Sequence, residues 1–186
     1  MNHHPGTEPA HPASAGAVIL IGLRGSGKST VGRLIAGRML RPFLDTDEII
    51  TRSAGMNIKQ IFDRGGEPLF RSLEADAVKQ AAAVPGAVIS TGGGVVLSED
   101  NVRILRACGP VIWLDAPAQV LWNRISTDTA TGASRPNLTA FGGLREVEEL
   151  LERRRGLYMR AAHLVVAADD APEKIADRIL ARLDTW

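Results

Sequence analysis

Apolar residues along this chain fall into short unbroken runs, separated by longer stretches in which they recur every three or four positions. The runs are residues 17–21 (AVILI), 43–44 (FL), 87–90 (AVIS), 111–114 (VIWL) and 164–167 (LVVA). Runs of that length, bounded by turn residues, predict strands buried on both faces. The stretches between them carry a helical period. They predict helices over 31–40, over 49 to about 83 with breaks near Gly55 and at Gly65-Gly66, and over 99–107. Further helices are predicted from Pro117 onward, over 146–161 and over 172–183. Strands alternating with helices predict an α/β fold, a five-stranded parallel sheet covered by helices on both faces in three layers. Ligands of such sheets sit beyond the carboxyl ends of the strands, so the chemistry is expected where the apolar runs stop.

Two segments carry neither period. Residues 126–144 are rich in Thr, Ser, Gly and Pro and read as a mobile loop of lid type. Residues 1–15 (MNHHPGTEPAHPASA) hold Pro, Gly, His and small residues, without the basic start and apolar stretch of a signal peptide. They are expected to form a disordered extension ahead of one domain spanning 16–186. His3 and His4 offer a metal site or a solvated tail.

Composition narrows the function classes. The chain has 186 residues, of which 45% are hydrophobic, enough for a sizeable core, and its net charge is +1. A general nucleic-acid binder would show a strong basic excess, so no nucleic-acid partner is expected. No apolar run approaches membrane-spanning length, so no membrane partner is expected either. Only four of the 22 basic residues are Lys; the Arg excess suits two-pronged anion contacts or reflects a GC-rich genome. The single cysteine, Cys108, can form no internal disulfide, which fits a cytoplasmic setting.

The strongest motif follows the first run. Residues 22–29 (GLRGSGKS) match G-x-x-x-x-G-K-[ST] between a predicted strand and a predicted helix. Gly25, Ser26 and Gly27 would aim backbone N–H groups at phosphate oxygens, and Lys28 would reach the β- and γ-phosphates. Ser29 would bind Mg²⁺, and Thr30 beside it is expected to be a further ATP-binding residue. This pattern implies nucleotide binding without naming a reaction.

At the other strand ends each motif keeps two readings. Asp45 and Asp47 follow the second run; with the chain extended they would point the same way. One would hold a water of the Mg²⁺ shell and the other an acceptor hydroxyl, or both would cap the next helix. Arg71 and Glu74 share a helical face, as a clamp for an anionic substrate or as an exposed ion pair of little worth. Gly92-Gly93-Gly94 offers close backbone approach or a plain turn. Arg135, in the 126–144 loop, could act as an arginine finger. One of Arg153, Arg154 and Arg155 is expected to face the site. Asp115 is either a strand-end cap or a Walker-B-like acid of a nucleotide switch.

Taken together, GLRGSGKST, LDTDEII, EPLFRSLEADAV, ISTGGGVV, SRPNL and ERRRGLY resemble the shikimate kinase family across residues 17–185. The resemblance implies a P-loop kinase fold and transfer of the ATP γ-phosphoryl group to the 3-hydroxyl of shikimate, with Mg²⁺, in aromatic amino acid biosynthesis. It further implies a cytoplasmic protein, expected to be a monomer. By position it implies that Asp47 contacts the shikimate hydroxyls and Asp45 lies near Mg²⁺. Arg71, a backbone N–H of the triple glycine (Gly93) and Arg154 would bind substrate. Arg135 would contact the nucleotide phosphates, and Arg124 would stack on adenine. The lid here reads Arg135-Pro136-Asn137-Leu138 where the family often has Arg-Pro-Leu-Leu. The alternatives are a kinase for another small polyol or acid, such as gluconate, and a non-catalytic nucleotide-binding regulator.

Overall fold

A computed structural model of the protein describes residues 16–127 and 142–183. Five strands, β1 (Val18–Ile21), β2 (Phe43–Asp45), β3 (Val88–Ser90), β4 (Val111–Asp115) and β5 (Leu164–Ala167), alternate with helices. These are α1 (Lys28–Met39), α2 (Thr46–Ala54), α3 (Ile58–Ala82), α4 (Glu99–Cys108), α5 (Ala118–Thr127), α6 (Gly143–Ala161) and α7 (Pro172–Leu183). The strands pair in the order β2-β3-β1-β4-β5, and every pairing is parallel. The α/β architecture expected from the apolar runs is the one observed. Among the described residues, no helix is long and apolar enough to cross a membrane.

The reason the strands read as unbroken apolar runs is visible in β1. Ile19 and Ile21 enter a core shared with α2, α3, α4 and the end of α6, while Val18 and Leu20 enter a second core shared with α1, α5 and α7. Successive side chains point to opposite faces, and both faces are covered. After β1 the chain runs out to β2, returns through β3 beside β1, and then crosses to β4 on the far side. At that reversal the connections diverge, and a crevice opens beyond the carboxyl end of β1.

Local chemistry sets the helix boundaries. Asp45 caps α2, accepting from Asp47 N at 2.9 Å. Asn57 and Gln60 form a reciprocal capping box on α3, and Ser98 caps α4. The expected breaks fall at Gly55 (φ 62°), which closes α2, and at Gly66 (φ 63°), where α3 kinks two residues before Pro68. The short 3-10 turn Val95–Leu97 was not expected from periodicity. Of the 126–144 segment, residues 126–127 close α5 and residues 143–144 open α6. Residues 128–141, with Arg135, lie outside the described residues, as does the expected 1–15 extension.

α1 ends unusually: Leu40 takes a left-handed conformation (φ 53°, ψ 43°) with its side chain 93% exposed. A β-carbon in that region is strained, and glycine is the usual occupant. Leu40→Gly removes the strain and gives up no packing. The expected gain is about 0.5–1 kcal/mol after the extra unfolded-state freedom of glycine is counted. Thermal melting should show a rise of about 1–4 °C; a lower melting temperature would contradict the strain argument.

Candidate active site

The loop after β1 wraps tightly because its glycines permit it. Gly25 has φ 81°, and a β-carbon there would stand 2.8 Å from the Leu121 carbonyl of α5. α1 then starts at Lys28 behind Gly27, which supplies no side-chain cap. The first N–H groups of the helix therefore remain turned toward the loop, the arrangement that receives anions. Lys28 is buried and donates to the Leu23 carbonyl at 2.9 Å and to Ser26 Oγ at 3.3 Å.

The Asp pair after β2 corrects an expectation. The chain does not stay extended through Asp47 but turns into α2 at Thr46. Asp45 consequently does two jobs. Its Oδ1 caps the helix, and its Oδ2 accepts from Ser29 Oγ at 2.6 Å. Ser90 Oγ lies 3.2 Å from the same Ser29 hydroxyl. These are hard oxygen donors at the mouth of the phosphate loop, the donor type Mg²⁺ takes when phosphate and water complete its shell. Among the described residues no cluster of three or more His, Cys, Asp or Glu could hold a metal unaided. Thr46 is fully buried and accepts from Gly92 N at 3.0 Å, tying the start of α2 to the triple glycine.

Each glycine of that triplet lies against a different functional group. A β-carbon on Gly92 would stand 2.9 Å from Asp47 Oδ1, and one on Gly93 3.3 Å from Arg24 N in the phosphate loop. One on Gly94 would stand 2.5 Å from Arg71 Nη1. Side chains approach Gly92 and Gly94, and the backbone of the phosphate loop approaches Gly93.

Arg71 donates through Nη1 to Glu74 Oε2 at 2.8 Å and through Nη2 to Glu67 Oε1 at 2.9 Å. Glu74 is only 1% exposed, so this is not the exposed pair that spacing alone allowed. Burial pushes the Glu74 carboxyl above its ordinary value, and Arg71 pulls it back part of the way. Burial works against the Arg71 charge, but Glu74 and Glu67 outweigh it and hold the guanidinium above its ordinary value. Glu74 Oε1 is buried and has no hydrogen-bond partner among the described residues.

Of the three consecutive arginines, Arg154 is the buried one, donating to the Gly93 carbonyl at 3.1 Å. Arg153 pairs with Glu149 at the surface and Arg155 with Asp115. Asp115 lies at the end of β4 and lines no part of the cleft. Arg124 donates to the carbonyls of Ala168 at 2.7 Å, Asp170 at 3.3 Å and Gly25 at 3.4 Å. Its guanidinium thus bridges the phosphate loop and the turn after β5.

The cleft has two halves. One is lined by Gly25, Gly27, Lys28, Ser29, Thr30 and Arg124, with Asp45. The other combines polar groups (Arg71, Glu74, Arg154) with an apolar wall that includes Phe62, Phe70 and Trp122. Arg24, Asp47, Gly93 and Ile125 line both. Thr46 and Trp122 had not been singled out from sequence, and Tyr158 stood only as the end of the ERRRGLY segment. For Thr46 a signal existed, since it sits between the two aspartates.

The family model for shikimate kinase matches residues 24–184. The shikimate kinase of Microcystis aeruginosa is 42% identical over 170 residues, covering 91% of this chain and 87% of the relative. The chain belongs to the shikimate kinase family. A second shikimate kinase, from Symbiobacterium thermophilum, is 43% identical over 155 residues, covering 82% of this chain and 86% of the relative. Among solved structures, shikimate kinase from Acinetobacter baumannii in complex with shikimate matches with a TM-score of 0.85 at 30% identity, over 91% of this chain and 93% of that one. A gluconokinase from Sinorhizobium meliloti matches with a TM-score of 0.61 at 21% identity, over 91% of this chain and 92% of that one. At that identity it shares only the P-loop kinase fold. The shikimate kinase family therefore accounts for the sequence as well as the architecture, while the gluconate alternative retains the architecture alone.

Proposed function

We infer that the protein transfers the γ-phosphoryl group of ATP to the 3-hydroxyl of shikimate, giving shikimate 3-phosphate and ADP. The observation that carries this is the position of Asp47, a carboxylate lining both the phosphate half and the acceptor half of one cleft. The phosphate half holds the triphosphate on loop N–H groups and Lys28. Ser29 and Asp45 would hold Mg²⁺, which would supply charge neutralisation at the phosphates. Arg71 and Arg154 grip the shikimate carboxylate, and a Gly93 N–H adds to the substrate contacts. Guanidinium forks suit a planar carboxylate. Asp47 accepts from the hydroxyl and aims its oxygen at the γ-phosphorus. The transition state of phosphoryl transfer is loose, so positioning contributes more than early proton removal. Arg135 neutralises charge on the transferring group, and Arg124 presents its plane to adenine.

Both halves of the cleft come from one chain, which supports a working monomer. The single cysteine, with no internal disulfide to form, supports a cytoplasmic setting. Within this reading the triple glycine has a specific cost of substitution. Gly94→Ala collides with the Arg71 guanidinium, the movable end of a long side chain, so the fold survives while the clamp shifts. The shikimate KM is expected to rise roughly tenfold, the loss of about one charge-assisted hydrogen bond, with the ATP KM unchanged. Steady-state kinetics with each substrate varied in turn would show it; a rise in the ATP KM alone would contradict the placement.

The function itself is tested by titration calorimetry of shikimate and gluconate with and without ADP, alongside a coupled ADP-release assay. Shikimate should bind and be the best acceptor. Preference for gluconate would sink the assignment of substrate, and absence of binding and turnover with either acid would favour a regulator.

A further inference from the structure

We infer that Tyr158 is a positioning residue for the triple-glycine turn, fixing the acceptor half of the cleft relative to the phosphate loop. The inference rests on the kinase reading above. Tyr158 is the only tyrosine in the chain and is fully buried on α6. Its ring stacks on Trp113 of β4, with centroids 5.5 Å apart and planes 21° from parallel. That contact sets the direction of the hydroxyl, which donates to the Gly93 carbonyl at 2.5 Å. Arg154, one helical turn earlier, donates to the same oxygen at 3.1 Å. Two donors on one carbonyl use both of its lone pairs.

Gly93 is the joint on which this convergence matters. It lines both halves of the cleft, and a β-carbon on it would stand 3.3 Å from Arg24 N and 3.5 Å from the Gly22 carbonyl oxygen of the phosphate loop. A turn free to tilt here would move the acceptor away from the phosphorus, and small misplacements are costly in such reactions. Burial, only partly offset by the charge on Arg154, pushes the phenol up to about 12, so it remains a donor at any working pH. A ring needed for packing alone would be served as well by phenylalanine, which gives the two roles different signatures.

Turnover of shikimate by the unaltered enzyme is measured first and tests the kinase reading by itself. Tyr158→Phe is then expected to lower kcat/KM for shikimate about tenfold, equivalent to about 1.4 kcal/mol of transition-state stabilisation, with kcat sharing the loss. ADP affinity by calorimetry should stay within about twofold of the parent, a change of under half a kcal/mol. Kinetics within twofold of the parent would overturn the proposal, and so would equal weakening of ADP and shikimate, the mark of general loosening. Should Tyr158→Phe fail to fold, the native sequence grown with 3-fluorotyrosine gives one ¹⁹F resonance, from Tyr158 alone. That resonance is expected to shift on adding shikimate. An unmoved resonance at saturating shikimate, in an enzyme that still turns over, would overturn the proposal independently.

Discussion

Asp47→Asn should cut turnover by about 10²-fold or more while leaving ATP affinity close to the parent value. The carboxylate stands at the boundary of the two halves of the cleft, where the proposed reaction has it accept from the acceptor hydroxyl. Asparagine keeps the size, but it presents a donor on one side and a neutral acceptor on the other. The hydroxyl then loses its strongest orienting partner, and the reactive oxygen samples geometries off the line of attack. The fold should be little affected, because the α2 cap is formed by Asp45 and the Asp47 backbone N–H rather than by the Asp47 side chain. The decisive pair of measurements is single-turnover phosphorylation of shikimate and calorimetric ATP affinity. Near-normal turnover would remove Asp47 from the mechanism; lost ATP affinity would make it a nucleotide residue.

Arg71→Ala should raise the shikimate KM by roughly 10- to 10²-fold, the worth of one or two hydrogen bonds between charged groups, and leave the ATP KM nearly unchanged. This substitution also acts on stability, because Glu74 is buried and loses its cation. Removing one partner of a buried pair is strongly destabilising, on the order of 3 kcal/mol. The Glu74 carboxyl, already pushed up by burial, would move further toward its protonated form. The double variant Arg71→Ala/Glu74→Gln separates the two effects. It carries no buried charge at this position, so most of the stability should return, while the shikimate KM stays high. If the double variant recovered shikimate affinity along with stability, Arg71 would be a structural residue and not a clamp.

Legibility in the sequence divides sharply between these two residues and their surroundings. The P-loop could be read directly, because its chemistry lies within eight consecutive residues flanked by a strand and a helix. The DTD triplet could be located but not oriented, since an extended chain and a helix start are both compatible with it. Only the packing of α2 against the triple glycine, through the Thr46 to Gly92 bond across 46 positions, selects the helix start. Spacing put Arg71 and Glu74 on one face but left their exposure open. The kinked α3 buries Glu74 and leaves Glu67 outside. Likewise, no local signal tells Arg154 from its neighbours. One residue of helical rotation, about 100°, is what turns Arg154 inward and Arg153 and Arg155 outward.

By itself, the sequence determined the order of strands and helices, the sheet buried on both faces, the phosphate loop, and the placement of the Asp45–Asp47 and triple-glycine motifs at strand ends. All of these follow from periodicity and from backbone preferences that act over a few residues. Tertiary structure alone decided which groups converge: Asp47 at the junction of the two halves, Glu74 buried behind Arg71, each glycine of the triplet against a different partner, and Tyr158 on the Gly93 carbonyl across 65 positions. Convergence depends on how segments far apart in the chain pack into shared cores, and residue spacing within any one segment carries no record of that packing.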